Sequence, residues 1–108
     1  MAADDAAMRL EREFRKLSVA QRVRLGYGTS HVIVAPGVNE KRHRLKLHVN
    51  EILEALEQAE PTEDAGVHPE HGPLKRVSGV TGTGRAVSLL VSADELPITL
   101  ADIEADVA

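Results

Sequence analysis

Apolar positions along the chain follow two different periods. Over residues 5–17, Met8, Leu10, Phe14 and Leu17 fall at roughly helical spacing with charges between them, which predicts a first helix. "SVAQ" at 18–21 has the Ser-x-x-Gln form of a capping box, whose two residues satisfy each other's N–H groups at a helix start. A second helix is therefore expected from Ser18, carrying Val19, Val23 and Leu25 and stopping at Gly26. The β-branched run "HVIVA" at 31–35, closed by Pro36-Gly37, predicts a strand. "LKRVSGV" and "RAVSLLVSA" predict two more, joined by "TGTG", with Val87, Leu89 and Val91 sharing one face.

Residues 40–60 fit two patterns. Leu45, Val49, Ile52, Leu53 and Leu56 lie on one face of a long helix, and this reading is favoured. Leu47 fits it poorly. Leu45, Leu47 and Val49 also alternate as a strand would; 43–49 would then pair with 31–35, and Asn50 would cap a shorter helix. Residues 61–73, with three Pro, two Gly and no periodicity, predict an exposed loop. The tail "PITLADIEADVA" predicts a short helix capped by Thr99, with Asp102 at its third position and Ile98 packed onto Ile103. The expected fold is α+β in a single domain, 1–108. It has N-terminal helices, one longer central helix, and a small, mainly antiparallel sheet with a C-terminal hairpin and a short C-terminal helix. Leu53, Leu56, Val87, Leu89, Val91 and Phe14 are the expected core.

Composition changes this picture in one respect. The 108 residues include one Phe, one Tyr and no Trp, so the core must be aliphatic and thin. Small domains with little core commonly gain stability from association. The chain has no Cys, which excludes disulfides, thiolate catalysis and Cys-based zinc sites. No apolar run approaches the roughly 20 residues of a membrane span, so no membrane partner is expected. "MAADDAAMRL" lacks a signal-peptide pattern, and the expected location is cytoplasmic or within a particle.

Candidate chemistry is sparse. "HPEH" at 68–71 brings two imidazoles close together, yet a zinc ion needs three or four ligands. No metal site is expected, and His68 and His71 are the nearest candidates. "GVTGTG" at 79–84 has its glycines in the wrong order for a dinucleotide loop and is followed by a β run, so a hairpin turn explains it better. No nucleophile-elbow pattern occurs. No catalytic residue, cofactor or small-molecule substrate is expected; a small enzyme is the least favoured reading.

Charge is the strongest signal. Residues 9–46 hold ten basic side chains and three acidic ones, a net of +7. Residues 51–71 hold seven acids and no Lys or Arg, and 86–108 add five more acids without a base. The overall charge of −4 hides this polarity. Solvated surface or internal pairing would explain it without a partner. The favoured functional reading is a small non-enzymatic structural or interaction subunit that associates with itself or with other protein subunits. It would work in an oligomer or larger assembly, for example a phage or other macromolecular particle. Its basic candidates are Arg15, Lys16, Arg22, Arg24, Lys41, Arg42, Arg44 and Lys46; its acidic candidates are Glu54, Glu57, Glu60, Glu63 and Asp64. The alternative is a nucleic-acid-binding regulator using the basic segment 9–46.

Overall fold

The computed structural model describes residues 12–106. The first helix is seen over 12–16 (α1); Leu17 lies just past its end, and residues 5–11 of that expected element lie outside the described residues. The capping box forms as the sequence predicts. Ser18 N–H donates to Gln21 Oε1 at 2.9 Å, and Gln21 N–H donates to Ser18 Oγ at 3.2 Å. The second helix, α2 (Val19–Gly28), passes the expected stop at Gly26. Gly26 instead permits close packing. A Cβ there would meet Ile98 Cγ1 at 2.9 Å and Val32 Cγ2 at 3.1 Å.

Strand β1 (Val32–Val34) follows. The long central helix does not form, and neither does the alternative strand. The segment makes two helices, α3 (Val38–Arg44) and α4 (Val49–Glu57). Between them Lys46 adopts φ +52°, the left-handed region that ends a helix, and Leu47 turns into the core, 1% exposed. The poor fit of Leu47 marked this break. α4 begins beside His48, not at Asn50: His48 N–H donates to Glu51 Oε1 at 3.2 Å.

The remaining chain is β structure. β2 (Glu63–His68) and β3 (Gly72–Val80) form a hairpin where a loop was expected over 61–73. No β2 residue is buried, so it lacks the apolar pattern by which a strand is recognised. β4 (Ala86–Ser92) pairs antiparallel with β3, and the Thr81–Gly84 turn joins them as expected. The tail is strand β5 (Ile98–Ala105), not a helix. Its partners shift from Leu90↔Asp102 to Val91↔Leu100, leaving Ala101 as an extra residue. Ile98, Leu100 and Ile103 all point inwards, but the bulge spaces them irregularly. The result is an α+β domain with a five-stranded mixed sheet, ordered β1-β5-β4-β3-β2, in which only β1 and β5 run parallel.

α2 and α4 pack against each other and against one sheet face. Val77, Val87, Leu89, Val91, Ile98, Leu100 and Ile103 meet Phe14, Val23, Ile52 and Leu56 in one cluster. Leu53 is a correction: it is half-buried and lines a groove with α2 residues rather than joining that core. Contact between α4 and β3 is unusually close, because a Cβ on Gly79 would lie 2.0 Å from the Ala55 carbonyl oxygen.

Two substitutions test this packing. Leu89→Ala should cost about 2–4 kcal/mol in urea unfolding. Gly79→Ala should cost about 1–3 kcal/mol because α4 must move off the sheet. A neutral Gly79→Ala would mean that α4 sits farther from β3.

Candidate interaction surface

The placement of the basic segment depends on one arginine that sequence reading passed over. Arg85 immediately precedes β4, with its side chain only 8% exposed. Its Nε donates to the Asp106 carbonyl at 2.7 Å and its Nη1 to the Lys46 carbonyl at 3.2 Å. Its Nη2 donates to the Leu45 carbonyl. Glu51 Oε2 balances the charge at 3.4 Å. The carbonyls freed where α3 ends thus find donors, as a helix terminus requires. Hydrogen bonds from the His48 N–H and from Arg85 hold the Glu51 carboxyl below the usual Glu range.

Several basic candidates are committed inside the molecule. Arg22 donates to the carbonyls of Phe14, Arg15 and Ala93, and its guanidinium lies 4.8 Å from the Phe14 ring centre. Arg42 donates to the Leu47 carbonyl at 2.9 Å. Lys41 bridges to Asp102 at 3.1 Å and also to Glu104, and these two acceptors raise its pKa. Arg24 pairs with Glu57 across α2 and α4 at 3.4 Å. Arg15 and Lys16 are exposed on α1, and Arg44 and Lys46 are exposed beside the break. The eight candidates do not form one continuous face.

The acidic candidates divide similarly. Glu54 accepts from the Gly82 N–H at 3.0 Å, tying α4 to the β3–β4 turn. Asp64 pairs with Lys75 across the hairpin, and that ammonium lowers its pKa. Glu63 stands opposite Arg76 in the β2–β3 register, and Glu60 is exposed just ahead of β2. His68 and His71 stack at the hairpin tip with ring centres 4.5 Å apart. Among the described residues, no group of three or more His, Cys, Asp or Glu is placed to hold a metal ion.

Folding converts the sequence polarity into a spatial one. β1 and β2 are the two edges of the sheet. The chain runs from β1 directly into α3, which packs against β5; Arg42 lines the cleft beside β1, whereas the Lys46 carbonyl is held by Arg85 at the start of β4. Glu60, Glu63, Asp64 and Glu70 lie on the β2 flank, with Lys75 and Arg76 on the neighbouring strand. The flanks also differ in shape. Beside β1 is a cleft of about 320 Å³ lined by Tyr27, Val32, Val34, Arg42, Val49 and Leu100, among others. It shares Tyr27 and Val49 with a shallow groove between α2 and α4, floored by Leu17, Leu25 and Leu53. Among the described residues no helix packs closely along β2, and Val67 is 77% exposed. Ile33 on β1 is 54% exposed. Sequence analysis missed Ile33, Val67 and the cleft. The alternation in "HVIVA" was the available sign, since it places Ile33 opposite its two neighbours.

In comparisons with known proteins, no family model matches the chain, and neither a curated protein nor a solved structure does. Among the described residues no helix is long and apolar enough to cross a membrane.

Arg85→Ala should destabilise the fold by at least about 2 kcal/mol in urea unfolding, since it strips donors from several carbonyls at once. Arg85→Lys should recover little of this, because one ammonium cannot span them. The Glu51 carboxyl carries a pH signature. Its pKa is lowered on folding, so the carboxylate's contribution is fully present above the unfolded-state value. That contribution is lost as pH falls through the lowered native value. Glu51→Gln should therefore reduce stability at neutral pH and flatten its decline below about pH 4.3, the ordinary Glu value.

Proposed function

We propose that this chain is a non-enzymatic assembly subunit that acts by protein–protein association, head to tail, within an oligomer or a larger particle. The observation that carries this reading is that the acidic strand β2 forms one edge of the sheet, while α3, whose Arg42 lines the cleft beside β1, packs against β5 towards the other. Unlike flanks meet in a heterologous contact, which closes into a ring or extends as a filament. The aliphatic core, with one Phe and one Tyr in the chain, gives such a domain reason to gain stability from neighbours. Charge across the contact would serve encounter and register more than raw affinity. Nucleic-acid binding is less favoured, because Arg22 and Arg42 already donate to backbone carbonyls and Lys41 already holds two carboxylates.

The test is light scattering of the wild type and of Arg44→Glu/Lys46→Glu across a salt series. Both residues are exposed, and neither side chain holds the fold together. The wild type should associate, and association should weaken as screening shortens from about 10 Å at 0.1 M to about 3 Å at 1 M salt. The double variant should lose at least about tenfold in association constant, or about 1.4 kcal/mol. Random duplex DNA belongs in the same series. If the variant loses DNA affinity while oligomeric state never changes, the regulator reading replaces this one.

A further inference from the structure

The two flanks are complementary in more than charge. We propose that β2 of one copy adds beside β1 of the next, continuing the five-stranded sheet from molecule to molecule; this rests on the head-to-tail association proposed above.

The first support is the open backbone of β1. In a parallel pair, alternate residues bond the neighbouring strand. The His31 carbonyl accepts from Ile98 N–H at 2.8 Å, and Ala35 N–H donates to the Leu100 carbonyl at 3.0 Å. His31, Ile33 and Ala35 therefore face β5. The N–H and C=O groups of Val32 and Val34 point to the open flank, as an added strand requires.

Strand direction gives the second support. β1 runs with β5, β5 against β4, β4 against β3, and β3 against β2. β2 is therefore antiparallel to β1. A neighbour displaced along the sheet, with its helices on the same side, brings its β2 to β1 in antiparallel sense. Like edges cannot meet this way: two copies of β1 need a two-fold axis, which turns one copy around.

The third support is what each flank lacks. Asp64 stands opposite Lys75, and Val67 opposite Pro73, so both point to the side that carries the helices. Yet among the described residues no helix packs closely over β2, and Val67 is 77% exposed. Beside β1 the reverse holds: α2, α3 and α4 all contribute to a cleft, but among the described residues no strand pairs with the outer side of β1. An added β2 would place Val67 towards Val32, Val34 and Val49, and the Asp64 carboxylate towards the Arg42 side of the cleft. Both edges also limit indiscriminate pairing. β1 has three residues, and β2 carries two carboxylates and a bulge at Ala65–Gly66. The contact is short, so its affinity should be modest and salt-sensitive.

The test uses one variant on each edge and then their mixture. Val34→Pro removes an N–H from the open side of β1 without breaking the β1–β5 ladder, and Ile33→Glu is a second β1 variant that repels the acidic strand. Val67→Lys alters β2 at an exposed position. Circular dichroism and melting establish that each variant folds; if Val34→Pro does not, Ile33→Glu takes its place. In analytical ultracentrifugation, each variant alone should be monomeric where the wild type is associated. A β1 variant mixed with Val67→Lys should form a one-to-one dimer and nothing larger, because each brings one intact edge. Three results would overturn the edge assignment while leaving head-to-tail association standing: variants that associate like wild type, a β2 variant unaffected while β1 variants dissociate, or a mixture that fails to pair. A wild type that stays monomeric to about 1 mM would overturn both proposals.

Discussion

Arg85 sets the path of the chain where local sequence leaves it open. A helix that ends in the left-handed turn at Lys46 releases carbonyl groups that need donors. The donors come from a guanidinium some 40 positions away, with branches to Leu45, Lys46 and Asp106. Lysine could not do this, since a point charge on a flexible stem lacks the fixed fork. The same group fixes the start of β4 and the end of β5. Because the break is held there, Leu47 can enter the core and α4 can leave α3 to cover the sheet. An unbroken helix over 40–60 would carry Leu47 off the apolar face and separate the charged flank from the strand beside it.

A second constraint follows from the lack of aromatic residues. With few large side chains, the layers must come close for dispersion contacts to accumulate. Gly79 lets α4 rest on β3 through the Ala55 backbone, and Gly26 lets the end of α2 settle against Ile98 and Val32. These glycines serve neither turns nor caps. Their value is the volume they leave empty. Arg22 adds to the economy: lying over the single Phe, it ties α1 and the β4–β5 connection to α2 with one side chain.

What was legible in the sequence was what local physics determines. The Ser18 capping box, the strand at "VIV" and the two strands around "TGTG" each rest on neighbouring residues, and each formed. The errors share a physical cause. β5 passes for a helix because its bulge at Ala101 breaks the alternation of Ile98, Leu100 and Ile103. β2 passes for a loop because a strand with no buried residue has no apolar period to display. The α3–α4 break is invisible because its determinant, Arg85, is remote in sequence and reads locally as the polar start of a strand. Charge polarity was legible as composition. Where folding carries those charges was not, since that depends on the strand order and on which carbonyls and carboxylates each side chain meets.

The same strand order explains why so many basic groups can be spent internally without erasing the polarity. Arg22 and Arg42 bond carbonyl groups, which leaves their positive charge uncancelled by those contacts, whereas Arg85 is balanced by Glu51. Lys41 is different, held by Asp102 and Glu104 of β5. That pairing offsets much of the acidity of β5, which lies next to the basic flank. On the far side Lys75 and Arg76 stand opposite Asp64 and Glu63, while Glu60 and Glu70 lie outside the paired positions of the hairpin. The remaining imbalance is smaller than the sequence totals imply, but it keeps its direction. A field of that size orients an encounter within about 10 Å at 0.1 M salt and contributes little binding energy by itself. In the proposed assembly affinity would come from apolar burial and backbone pairing; of the exposed large apolar side chains, Ile33 and Val67 stand on the edge strands β1 and β2, while Val49 lies on α4 and Val80 on β3.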